Sequence, residues 1–155
     1  MTFQTGYLTK RETSIWSLRH ILGSQAKIAR RLNISRQAIH KSLQTIDKKI
    51  EQALNEAATT NNLDIKKIDV IHGVMYAYSP AYQIPVIVSL SEANGLKVWY
   101  LYEGNCEECS RSAECMTLLE SEAEERGINI EDTTMSPSNI AKKIFLDYFK
   151  EESDD

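Results

Sequence analysis

Apolar residues between Thr9 and Gly23 fall at Ile15, Leu18 and Ile21 or Leu22, with Trp16 beside them. That is helical spacing. Thr9 followed by Glu12 makes a Thr-x-x-Glu capping box, and Gly23 closes the segment as a C-cap. Ser24 caps a second, short helix through Arg31, with Ile28, Ala29 and Leu32 on its inner face. Asn33-Ile34-Ser35 forms a turn, and Ser35 caps a third helix. In that helix the apolar positions are Ile39, Leu43, Ile46, Ile50, Leu54 and Ala57, with Ala53 as an alternative. These make a nearly heptad seam, and no Gly or Pro interrupts residues 36–60. A helix with one narrow apolar stripe needs a partner, either a second copy or the rest of the chain.

Beyond Asn61-Asn62 the period changes. Ile68–Tyr78, Ile84–Leu90 and Leu96–Tyr102 are β-branched and aromatic runs, which predict three antiparallel strands. Glu92-Ala93-Asn94-Gly95 supplies a hairpin turn, because Asn-Gly accepts positive φ. A helix is expected from Ser112 to Arg126, closed by Gly127. Ser136-Pro137 opens a last one, with Ile140, Ile144, Phe145, Tyr148 and Phe149 on its apolar face. The fold class is therefore α+β: an N-terminal helix-turn-helix with a long third helix, then a small three-stranded antiparallel sheet with two helices. Domain boundaries are expected at 1–62 and 63–155.

Charge sharpens this division. Residues 1–62 hold ten Lys/Arg against four Asp/Glu, a net +6; residues 63–155 hold eight against eighteen, a net −10. A basic first half suits a polyanionic partner that the acidic half would repel. With 42% hydrophobic and 26% charged residues, the chain reads as an ordinary globular protein. No run of eighteen apolar residues suggests a membrane span, and the first residues lack a signal-peptide core, so a cytoplasmic location is expected.

The segment Ser24–Leu43 carries the functional reading. Ile28, Leu32, Ile34, Ile39 and Leu43 can build a core shared by two helices, with small Ala29 where they meet. The outer side of the third helix then shows Ser35, Arg36, Gln37, His40 and Lys41. Arg pairs well with guanine and Gln with adenine, and helix N-termini offer free N–H groups to phosphate. The stretch S-Q-x-x-I-A-R-x-L-x-I-S-R-Q-A-I-H-K resembles the helix-turn-helix of sigma-factor region four and related domains. Together with the opening MTFQTGYLTKRE and the long third helix, it is similar to archaeal Tfx-type regulators. The resemblance covers about residues 8–60. It implies that the helix starting at Ser35 enters the major groove of double-stranded DNA. It also implies that Ser24 and Gln25 touch the backbone. Readers of this class commonly bind as homodimers.

All three cysteines fall within ten residues, as Cys106-x-x-Cys109 and Cys115. Converging thiolates suit a metal, either zinc or a [4Fe–4S] cluster. Zinc wants a fourth ligand, for which His72, Glu103 or a group from a second subunit are candidates, and a cluster would need a non-cysteine ligand or an open iron. The spacing looks like iron–sulfur segments of redox-responsive regulators. A metal-free thiol switch through Cys106 and Cys109 is a further option. No phosphate loop, paired carboxylates or nucleophile elbow points to an enzyme. Trp99, Tyr76, Tyr78, Tyr100 and Tyr102 read as core and cross-strand pairs. The expectation is a sequence-specific transcription regulator that responds to metal or redox state. The competing reading is a protein-binding adaptor with a structural zinc site.

Overall fold

In the computed structural model, residues 7–101, 112–131 and 135–150 are described. Thr9 accepts from Glu12 N and its own N–H is taken by the Glu12 carboxylate, so the capping box is complete at the start of α1, Lys10–Leu22. Gly23, at φ 71°, ends it. Ser24 caps α2, Gln25–Leu32, and Asn33 closes it in the left-handed conformation. Ser35 caps α3, which runs unbroken from Arg36 to Thr60.

The seam of α3 is fully used within the chain. Ile39, Ile46, Ile50, Ala53 and Leu54 are completely buried. Most of the seam joins one core with Leu8, Ile15, Trp16 and Ile28 of the N-terminal region and with Met75, Ala77, Val86, Val88 and Leu90 of the sheet. Each such Ile or Leu contributes roughly 1.5–3 kcal/mol by leaving water. The seam's partner is therefore the rest of the chain, and its burial requires no second copy.

The sheet has four antiparallel strands where three were expected. The run Ile68–Tyr78 spans two of them: β1, Asp64–Asp69, and β2, Val74–Ser79. Between them Asp69 accepts from His72 N and Gly73 adopts φ +67°, so the chain reverses inside what looks like one apolar run. β1 escapes pattern reading because its first four residues are exposed, as suits an edge strand. β3, Ile84–Ser91, and β4, Gly95–Tyr100, complete the order β1-β2-β3-β4. Gly95 has φ +67°, as the Asn-Gly turn requires.

Side-chain alternation gives the sheet two covered faces. Val86, Val88 and Leu90 face α1–α3. Val74, Ile87 and Leu101 face a second core with Leu119 and Ala123 of α4 (Ser112–Glu125) and Ile140, Ile144 and Phe145 of α5 (Pro137–Phe145). Ser136 caps α5 with Pro137 behind it, and a 3-10 turn, Leu146–Phe149, follows. Tyr76, Trp99, Tyr148 and Phe149 pack on this second core, and Tyr100 on the first. Tyr102 lies outside the described residues.

The second core holds a buried polar relay. Glu122 is completely buried. It accepts from Ser91 Oγ at 2.8 Å and pairs with Arg126 Nε at 3.0 Å. Arg126 donates onward to the carbonyls of His72 and Leu90, at 2.9 and 3.2 Å, and lies over the Phe145 and Tyr148 rings. Burial works against the guanidinium charge, but Glu122 and Tyr148 outweigh it and hold the Arg126 pKa above its usual value.

Candidate nucleic-acid interface

Two hydroxyls organise the unit formed by α2, its turn and α3. Ser24 Oγ accepts from Lys27 N at 3.3 Å and Ser35 Oγ from Ala38 N at 3.1 Å. Each satisfies one of the donors a helix start leaves open. Their role is thus capping in the first place, and the remaining N–H groups of each first turn stay available to an anion. The turn is tight: Ile34 N donates to Ala29 O at 3.1 Å, and Asn33 has φ 55° and ψ 45°. Ala29 is buried to 6% exposure, so α2 and α3 approach closely there. Ile28, Ile39 and Leu43 are buried behind the turn, with Ile34 packed partly against them. Leu32 departs from expectation: it is 36% exposed at the tip of the motif and lies outside this core.

Ser35, Arg36, Gln37, His40 and Lys41 are all exposed, while Ser24 and Gln25 are half-buried. Gln25 Nε2 and His40 Nδ1 lie 3.2 Å apart. That contact ties the start of α2 to the second turn of α3, so Gln25 and the exposed side of α3 form one surface. Gln44 and Lys48 extend the exposed stripe of Gln37 and Lys41 at helical spacing, and Lys27, Arg30 and Arg31 of α2 are also exposed. Sequence reasoning passed over these five. The signal for Gln44 and Lys48 was the apolar seam itself, whose opposite side they occupy.

The N-terminal cations divide into two sets. Arg19 pairs with Asp47 at 2.9 Å and Lys49 with Glu12 at 2.7 Å, both bracing α1 against α3. Burial raises the Glu12 pKa, but the Lys49 and Thr9 hydrogen bonds outweigh it and leave Glu12 below the ordinary carboxylate value. Arg30, Arg31, Arg36, Lys41 and Lys48 form no ion pair with another described residue. Positive charge is thus left unneutralised on the surface that carries the donors.

Cys106 and Cys109 lie outside the described residues. Cys115 is half-buried in the first turn of α4. His72 is not placed to join it in one metal site. Its carbonyl is held by Arg126, eleven residues further along the chain from Cys115, which is about 16 Å of helical rise. Its Nδ1 already sits 2.8 Å from Asp69 Oδ2. Glu103 also lies outside the described residues. Among the described residues no three His, Cys, Asp or Glu side chains converge as a metal site would require. The structure does join His20 to His72, ring centroids 5.7 Å apart, although 51 residues separate them in the chain.

Among the described residues no helix is long and apolar enough to cross a membrane. No protein-family model, curated protein or solved structure matches the chain.

Proposed function

We propose that this protein is a sequence-specific DNA-binding transcription regulator. The reading rests on one observation. Arg36, Gln37, His40 and Lys41 share the exposed side of α3, while Ile39 and Leu43 anchor the opposite side against α2. A short, rigidly backed helix with bidentate donors in its first two turns is what a major groove accepts. Arg36 and Gln37 then read base edges. Lys41, Arg30 and Arg31 meet phosphate, and the capped N-termini of α2 and α3 add N–H groups to the backbone. A homodimer on DNA would have to form through a surface other than the α3 seam.

The sensing half of the proposal runs through α4. Cys115 stands in its first turn, where the helix dipole favours a thiolate, and Cys106 and Cys109 shortly precede it in sequence. These three thiols would hold zinc or an iron–sulfur cluster, with the remaining ligand from outside the set. Farther along α4, Glu122 is hydrogen-bonded to Ser91 of β3, so a displacement of the helix would reach the sheet on which α3 lies.

Gel shifts on duplexes selected from random DNA test both halves. Arg36→Ala should cost roughly 1–3 kcal/mol and relax preference at one base position. Lys41→Ala should weaken binding to every sequence alike and lower the salt slope by about one. Unchanged binding in both variants overturns the docking. Cys109→Ser should abolish any difference between reduced, oxidised and chelator-treated protein; a difference that survives it removes this cysteine from the sensing role.

A further inference from the structure

The exposed stripe of α3 changes sign along its length. From its start it shows Arg36, Gln37, His40, Lys41, Gln44 and Lys48. One turn beyond Lys48 it shows Glu51, and then Glu56, whose carboxylate accepts from Gln52 Nε2 at 3.0 Å. Asp47, the one acidic residue between Arg36 and Lys48, is answered by Arg19 at 2.9 Å, and Lys49 turns away to Glu12 at 2.7 Å. Lys48 forms no ion pair with another described residue. The stripe is therefore basic through Lys48 and acidic from Glu51 onward.

Length decides what such a stripe can touch. Arg36 and Lys48 are twelve residues apart, about 18 Å of helical rise. The major groove is about 12 Å wide. A helix that crosses it with Arg36 over the base edges carries Lys48 to the phosphate ridge and Glu51 past it. A helix lying along the groove would keep Glu51 and Glu56 between the two ridges, where carboxylates meet phosphate of like charge. The sign change favours the crossing. Gln44 falls between Lys41 and Lys48 and lines one cleft with Gln25 and His40, so it adjoins the other polar side chains of this surface. Its amide can pair bidentately with adenine.

We propose that α3 crosses the major groove, that Gln44 reads a base pair beyond those read by Arg36 and Gln37, and that Lys48 closes on phosphate where the helix leaves the groove. The DNA-contacting length of α3 then ends between Lys48 and Glu51. This crossing rests on the DNA-binding function proposed above and adds its orientation and extent.

The test uses the full chain on the duplex selected from random DNA, with Arg36→Ala and Lys41→Ala run beside each new variant. Gln44→Ala should lose roughly 5- to 150-fold discrimination at one base pair, different from the one that Arg36→Ala relaxes. Lys48→Ala should weaken binding to every sequence alike and lower the salt slope by about one. Glu56→Lys places a cation eight residues beyond Lys48, about 12 Å of rise, which exceeds the screening length of about 8 Å at physiological salt. It should leave the slope unchanged. All three positions are exposed, and the thermal midpoint of each variant checks its folding. These three results together support the crossing. It is overturned, with DNA binding through α3 left standing, if Arg36→Ala and Lys41→Ala keep their effects while Lys48→Ala leaves the slope unchanged, Gln44→Ala relaxes no base pair, or Glu56→Lys steepens the slope. If Arg36→Ala and Lys41→Ala are silent as well, both are overturned.

Discussion

His20 shows how far one residue's chemistry lies from its sequence context. On a helical projection it is a surface histidine, and part of its ring does remain exposed. Yet Trp16 and His72 crowd it, and its pKa is pushed down from 6.5 to about 4, first by burial and then by the nearby Arg19 charge. Protonation therefore favours the unfolded chain. The stability that neutral His20 supports is complete above pH 6.5 and drains away as pH falls towards 4. The raised Glu125 pKa acts in the opposite sense, and the lowered Glu12 pKa matters mainly below 4.5. Comparison with His20→Gln cancels both. The thermal midpoint of the native protein should fall more between pH 7 and pH 4.5 than that of His20→Gln; parallel curves would show that solvent screens the site. Glu122 and Arg126 carry the same lesson. At a spacing of four they look like an exposed helix pair, and only the tertiary structure reveals that they close a buried relay to β3.

Elements were most legible where a terminal residue announces them. Thr9, Ser24, Ser35 and Ser136 each cap the helix they were expected to open, because a hydroxyl satisfying the next turn's N–H is a local event. Removing one has a local cost. Ser35→Ala should destabilise the protein by roughly 0.5–2 kcal/mol in urea titration and fray the first turn of α3. Arg36 and Gln37 sit in that turn, so under the proposed DNA-binding function DNA affinity should fall further than in an Ala substitution at the exposed Ser14 of α1; an equal effect would separate the cap from the proposed reading surface. β1 was illegible for a complementary reason. Its exposed residues Asp64 to Lys67 carry no apolar alternation, and its turn hides in Val70-Ile71-His72-Gly73, where only the glycine betrays a reversal. The cysteine segment shows the limit of motif reading. Spacing can nominate Cys106, Cys109 and Cys115 as ligands, but no spacing could reveal that His72 stands by the far end of α4.

On the scale of the whole molecule, the α3 seam decides the behaviour. Because Ile46, Ile50 and Leu54 share a core with Met75, Val86 and Val88, the basic N-terminal helices are seated on the sheet. The sequence showed the stripe but not its occupant, since a heptad seam is equally suited to a second copy. Leu54→Ala should cost roughly 2–5 kcal/mol. It should lower the far-ultraviolet helix signal and the tryptophan fluorescence transition together, as a single cooperative unit requires. Separate midpoints would mean that the helices melt independently of the sheet.

The alternation of β3 keeps the two cores apart, with Val86, Val88 and Leu90 on one side and Ile87 on the other. Such an arrangement permits two histories in one gene. The α4–α5 layer can drift, or be exchanged for another, while the layer bearing α3 is kept. Gly73 belongs to the layer that is kept: a methyl group there would lie 3.1 Å from the Leu90 carbonyl and 3.2 Å from the Trp16 ring, both on the α1–α3 side of the sheet. Descendants that trade one layer for another would have to inherit that glycine unchanged.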